Sequence, residues 1–299
     1  MPDRRVVLAG ASGLIGTALA ASLRADGFGV TRLVRRPAAA PDEVTWRPGA
    51  EPLDPDVLAG ATAVVGLSGA SVGRFPWTSR YKSTLLWSRL APTRTLAQAV
   101  RTLGEDAPAF VSASAVGYYG TAGERLDESS PAGRSFLASL CVAWEREALR
   151  AGDRARVALL RTAPVVHAEG VLKPLMLLTR LGLSGPIGRG TQAWPWISLD
   201  DEVRAIRHVI DTGLTGPVNL TGPTRAVAND LGFALAMRMN RPFLLRAPAP
   251  ALKLLLGPDA TEALLTCDLD VLPAALTASG FTFTHRTVED AVAAAVPAA

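Results

Sequence analysis

The run Val6-Val7-Leu8-Ala9-Gly10-Ala11-Ser12-Gly13-Leu14-Ile15-Gly16 constrains the fold of this chain more than any other stretch. All of its residues but Ser12 are apolar or glycine. It reads as a buried strand, a tight turn and the opening of a helix that continues Thr17-Ala18-Leu19. Gly10 permits a reversal that a Cβ would obstruct, and Gly13 permits close approach of the backbone to a phosphate. Gly16 lets the helix lie tightly on the strand. The free N–H groups at the helix start, reinforced by its dipole, face an anion there. Gly10, Ser12, Gly13, Leu14, Ile15 and Gly16 are therefore the expected cradle of a dinucleotide pyrophosphate. Arg4-Arg5 followed by an apolar stretch to Ala20-Ala21 also has the outline of a secretory signal. Three glycines would weaken a signal helix, so the segment is read as the first strand and helix of the folded protein.

The second strand, expected at Gly29–Val34, runs into Arg35-Arg36-Pro37. Sites that prefer NAD end this strand with an Asp or Glu bonded to the ribose 2′-hydroxyl. Two guanidinium forks stand there instead and suit a 2′-phosphate, so NADP(H) is the expected cofactor. The wider composition agrees with an anionic small-molecule partner. The 31 basic and 27 acidic residues leave a net charge of +4 without clustering, whereas a nucleic-acid surface needs a basic stripe. With 48% hydrophobic and 19% charged residues over 299 positions, the chain can bury one large domain, or a domain with an appendage. Past the N-terminal segment no apolar run is long enough to span a bilayer, so no membrane partner is expected. Cys141 and Cys267 lack metal spacing and read as buried thiols in a reducing cytoplasm. His167, His208 and His285 stand alone and read as packing or surface residues, so no metal site is expected.

Further strands alternate with helices. Ala63–Leu67 is a short apolar strand ending at Ser68-Gly69, and Thr78–Leu103 has helical spacing in Leu85, Leu86, Leu90, Leu96 and Val100. Ala109–Ser112 is the next strand, Arg134–Arg150 a helix with Leu137, Leu140, Cys141 and Trp144 on one face, and Val157–Arg161 a strand. This alternation predicts an α/β fold: a Rossmann-type, doubly wound parallel sheet with its ligand at the carboxyl ends of the strands. The pattern loosens after residue 165. Residues 1–165, joined by 196–222, are expected to form the nucleotide-binding domain. Residues 166–195 and 223–299 are expected to form a smaller C-terminal lobe over the substrate.

The motifs together resemble the extended short-chain dehydrogenase/reductases, relatives of the nucleotide-sugar epimerases, and within them the atypical epimerase-family (YfcH-like) branch. The resemblance rests on Gly10–Gly16, Val44-Thr45-Trp46, Leu67-Ser68-Gly69, Trp77-Thr78, Ser88-Arg89 with Thr93, and Ser112–Gly120. It continues through Asp127–Pro131, Trp144-Glu145, Arg161-Thr162, Gly182–Gly188, Trp196-Ile197, Asp200-Asp201 and Gly216–Gly222, into the segment from Leu254 to Phe281. It implies cofactor contacts from Leu67, Ser68 and Val165, and from Arg89 on the long helix. It also implies a catalytic Tyr-x-x-x-Lys helix, which this chain lacks: Cys141 stands at the tyrosine position and Glu145 at the lysine position. Proton transfer would then fall to Ser114, Tyr118 or Tyr119, on a loop expected just past the fifth strand. Glu145 is either a general base or a partner of Arg146 or Arg150, and Trp77, Trp194 and Trp196 either line a substrate pocket or fill the core between lobes. The function expected is an NADP(H)-dependent enzyme acting on a small organic substrate by redox or epimerase-type chemistry. The rivals are an NADPH-binding sensor or regulator without turnover, and a cofactor-independent enzyme on the same fold.

Overall fold

In the computed structural model, which describes residues 4–298, the glycine turn joins β1 (Arg5–Ala9) to α1 (Leu14–Ala25). There follow β2 (Gly29–Val34), β3 (Glu43–Thr45), β4 (Ala63–Gly66), α2 (Ser79–Leu103), β5 (Ala109–Ala115), β6 (Ala122–Leu126), α3 (Phe136–Leu149) and β7 (Val157–Thr162). The second half contains β8 (Val165–Val166), α4 (Leu172–Arg180), β9 (Ile197–Ser198), α5 (Leu199–Thr212) and β10 (Gly216–Leu220). It closes with α6 (Ala228–Arg238), α7 (Ala249–Leu256), α8 (Pro258–Leu264), β11 (Asp268–Val271), α9 (Ala274–Ala278) and α10 (Val288–Ala295).

Seven strands pair in parallel in the order β10-β7-β5-β4-β1-β2-β3. The central strands β1 and β4, Arg5–Ala9 and Ala63–Gly66, are almost continuously apolar, as suits strands covered by helices on both faces. Val6, Leu8 and Leu160 pack with Leu19 and Leu23 of α1 and Ile206 of α5. On the opposite face Val7, Val64 and Phe110 pack with Leu96 and Val100 of α2 and Ala148 of α3. The strand order reverses between β1 and β4, which opens a crevice at their carboxyl ends, where doubly wound sheets bind ligands.

Local signals set most boundaries. Thr78 accepts from the Tyr81 N–H and caps α2, and Ser135 accepts from the Ala138 N–H and caps α3. α1 differs: no side chain caps it and its first turn contains no acidic residue. β5 runs to Ala115, three residues beyond the strand expected from the sequence, so Ser114 lies within the strand rather than in a loop after it. A 3₁₀ turn, Val116–Tyr119, follows. The chain leaves the sheet after Thr162 and returns to it with β10, which pairs with β7. The C-terminal segment reaches back: β11 pairs in parallel with β6, and β8 pairs with β9. No helix among the described residues is long and apolar enough to cross a membrane.

Candidate functional site

The site begins at the glycine turn. Gly10 has φ +85°, and a Cβ there would stand 2.7 Å from the Leu67 carbonyl carbon. The loops after β1 and β4 therefore touch at the point where the strand order reverses. A Cβ at Gly16 would stand 2.3 Å from Gly10 O, so this glycine is required by packing. Gly13 differs: the nearest atom to an added Cβ is Gly10 O at an ordinary 3.5 Å. The space before Gly13 is open, and beside it lies the uncapped, electropositive start of α1. Leu67 and Ser68 form the facing wall. The loop after β8 closes over the helix start, because a Cβ at Gly170 would meet both Val165 O, at 2.4 Å, and Leu14 Cδ2, at 3.4 Å.

Beyond β2 the two arginines differ. Arg36 makes a bidentate pair with Glu43, Nη1 to Oε2 at 2.7 Å and Nη2 to Oε1 at 2.6 Å. The Glu43 carboxylate is buried and also accepts from the Ala39 N–H at 2.9 Å. The Arg36 bonds, then the Ala39 N–H, pull its pKa to about 2. The expectation of two free guanidinium forks is thus corrected. Arg36 is committed to a carboxylate on the next strand, while Arg35 is exposed and makes no ion pair among the described residues.

Arg89 of α2 reaches the loop after β4: a Cβ at Gly69 would stand 3.1 Å from its Cζ. Its Nη1 donates to Leu85 O at 3.0 Å, and its guanidinium lies 5.2 Å from the Trp144 ring. No carboxylate pairs with it among the described residues, and burial lowers its pKa. A half-buried arginine without an acid is a ready anion contact.

Below this crevice lies a closed polar network. Ser114 Oγ donates to Glu145 Oε1 at 2.7 Å, and Arg161 donates to the same carboxylate through Nε (2.9 Å) and Nη2 (3.0 Å). Arg161 Nη1 also donates to the Tyr119 hydroxyl at 3.0 Å, which donates to Asn219 Oδ1 at 2.7 Å. Burial works against the Arg161 charge, but bonding to Glu145 outweighs it and raises the pKa. Glu145 therefore pairs with Arg161 across the sheet, not with Arg146 or Arg150 as its helix neighbours suggested. The expected catalytic groups separate accordingly. Ser114 and Tyr119 are buried and bonded within the network, and burial raises the Tyr119 pKa despite Arg161. Tyr118 is half-buried, with its ring on the Arg161 guanidinium at 3.5 Å, and its hydroxyl makes no hydrogen bond among the described residues. Cys141 is buried and its thiol is pushed up to about 12, first by desolvation and then by Glu145. It is no thiolate at neutral pH.

Other expected residues resolve as structure. Trp77, Trp194 and Trp196 are all buried, and their indole N–H groups bond to Val72 O, Leu265 O and Thr224 O. They pack into the hydrophobic core, Trp194 and Trp196 in one cluster and Trp77 in another. His208 bonds Ser279 and His285 bonds Ser198. Asp200, Asp201 and His285 group their ligand atoms within 4.8 Å. Asp201, however, already accepts from Arg204, Ser198 and the N–H groups of Thr284 and His285, which makes it a loop clamp. Sequence reasoning missed Glu43, Arg161 and Asn219. Arg161 and Asn219 carried a signal only as members of the Arg161-Thr162 and Gly216–Gly222 motifs of the resemblance, and Glu43 carried none.

The comparisons agree with this architecture. Residues 6–220 match the NAD dependent epimerase/dehydratase family, and residues 247–295 match a domain of unknown function (DUF1731). An epimerase family protein of Mycobacterium bovis is 41% identical over 298 residues, covering 98% of this chain and 97% of that protein. The crystal structure of the human epimerase family protein SDR39U1 with NADPH superposes with a TM-score of 0.86 at 28% identity, covering 97% of this chain and 98% of that one. A nucleoside-diphosphate sugar epimerase from Corynebacterium glutamicum gives 0.78 at 31% identity, covering 98% of this chain and 58% of that one. With its sheet order, glycine turn and missing Tyr-x-x-x-Lys pair, the chain belongs to the NAD-dependent epimerase/dehydratase family, as an atypical extended short-chain dehydrogenase/reductase of the epimerase-family branch.

Proposed function

We propose that this protein binds NADP(H) along the β1/β4 crevice and acts on a small organic substrate by redox or epimerase-type chemistry. Residues 166–195 and 223–299 form the lobe that covers the substrate. The observation that carries the reading is that three anion-ready features follow, or reach the loops after, the carboxyl ends of β1, β2 and β4. They are the open face of Gly13 at an uncapped helix start, and Arg35 and Arg89, neither of which pairs with a carboxylate among the described residues. Gly10, Ser12, Gly13, Leu14, Ile15 and Gly16 hold the pyrophosphate, Leu67, Ser68 and Arg89 border it, and Val165 walls the nicotinamide. Arg35, with the Nε face of Arg36, takes the 2′-phosphate, which favours NADPH over NADH. The relative solved with NADPH supports that choice.

When bound, the cofactor supplies or accepts hydride. The chain's own part is proton handling and orientation. Tyr118 is the phenol of its loop with a free hydroxyl, and Arg161 fixes its ring from one face. In this reading Tyr118 exchanges a proton with the substrate oxygen, while Ser114 and Tyr119 act through the Glu145–Arg161 pair as positioning residues. A second reading, NADPH binding without turnover, is favoured by the same network, since Ser114 and Glu145 bond each other and Tyr119 is held by Arg161 and Asn219. The test is NADPH oxidation against carbonyl compounds, enones and nucleotide sugars. Tyr118→Phe is expected to lower turnover roughly 100-fold with NADPH affinity unchanged. No turnover on any substrate, in protein that binds NADPH tightly, selects the second reading.

A further inference from the structure

Two stretches of the C-terminal half, residues 170–199 and 231–258, contain no acidic residue and together carry seven lysines and arginines. They fold against one another. The Leu183 N–H bonds Leu178 O, the Leu244 and Leu245 N–H groups both bond Ser184 O, and α4 packs on α6. The Phe243 ring lies 6.3 Å from Phe233 of α6. The surface so formed is strongly apolar: Leu177, Leu181, Leu183, Met237, Leu244 and Leu245 are each at least 50% exposed. Soluble chains seldom leave so many large apolar side chains together in water, and such patches mark a docking surface. Its charge says what docks. Lys173 pairs with Glu169 and Arg189 with Asp268, but Arg180, Arg241, Arg246 and Lys253 make no ion pair among the described residues. A second copy is a poor occupant, because an isologous contact would set these cations against themselves with no carboxylate between them.

We propose that this face seats on an anionic phospholipid surface, with the leucines entering the headgroup boundary and Arg180, Arg241, Arg246 and Lys253 meeting lipid phosphates. The sequence pointed to no membrane partner because it offered no spanning run past its N-terminal segment; interfacial seating needs no span. The proposal is independent of the cofactor reading. The test is co-sedimentation of the full-length protein with vesicles of phosphatidylcholine alone and of phosphatidylcholine with phosphatidylglycerol in a two-to-one ratio. Binding is expected only to the mixed vesicles and to fall as salt is raised. Arg180→Ala and Arg241→Ala should each weaken it about fivefold, as expected for one cation at a charged surface. Leu181→Ser with Leu244→Ser should abolish it while the far-ultraviolet circular dichroism stays unchanged. Equal binding to both vesicles, no binding to either, or variants that bind as the parent does overturn the proposal. So does self-association in solution that Leu244→Ser dissolves, which assigns the face to a second copy.

Discussion

Glu202 of α5 is fully buried and accepts one hydrogen bond, from Thr162 Oγ1 at 2.9 Å, while its Oε2 finds no partner. Desolvation, only partly opposed by Thr162, raises its pKa from the ordinary 4.5 to about 8. The folded protein therefore holds a proton that the unfolded chain releases near pH 4.5. The sign follows from linkage. Below pH 4.5 both states are protonated and the group contributes no pH dependence. Above it the unfolded state gains by ionising, and stability falls until the folded carboxyl ionises near pH 8. Each pH unit in that window costs about 1.4 kcal/mol, on the order of 5 kcal/mol across the whole of it. Glu202→Gln keeps the acceptor for Thr162 and removes the titration, at a pH-independent cost of about 1–3 kcal/mol for an unpaired amide N–H. Urea unfolding of parent and variant from pH 5 to pH 9 reads the difference directly, since every other group titrates alike in both. The variant should be the less stable protein at pH 5 and the more stable one at pH 9. Two parallel stability curves, offset by a constant amount, would refute the reasoning.

Gly13→Val should leave folding intact, because only ordinary contact awaits the new Cβ, yet abolish NADPH binding in a fluorescence titration. Retained affinity in the folded variant would make the turn purely structural. Arg35→Ala should narrow the NADPH-to-NADH affinity ratio about tenfold by calorimetry, and more than Arg36→Ala, whose fork is already held by Glu43. The opposite ranking would mean that phosphate displaces Glu43. Glu145→Gln should cost on the order of 3–5 kcal/mol of unfolding free energy, because it strips a buried arginine of its counter-charge. Loss of less than about 1 kcal/mol would show that Arg161 recruits another partner.

What could be read from the sequence was what the chain decides over short distances. The strand–glycine–helix opening, the span of β2 and the Thr78 start of α2 follow from apolar runs, turn glycines and caps lying within a few residues of one another. The candidate site depends instead on pairs distant in sequence. Arg161 meets Glu145 only because β7 lies beside β5 with α3 across them, and Glu43 meets Arg36 only because β3 pairs with β2. Glu202 gave no warning. In Asp200-Asp201-Glu202 it looks like a solvated helix start, and only the packing of α5 against the sheet buries it.

The parallel ladder between β6 and β11 has a mechanical consequence. It ties a strand from the middle of the chain to one near its end, and Glu128 tightens the joint by accepting from the N–H groups of both Asn219 and Ala275. These segments cannot open one at a time, because the β6–β11 ladder and both Glu128 hydrogen bonds must break together. α8 meets the start of α2 in two ways, through the Lys82–Asp259 pair at the surface and through buried Ala260, which packs in one cluster with Trp77 and Leu85. The surface pair contributes little, so the buried packing fastens α8 to α2 much as the β6–β11 seam fastens the chain's end to its middle.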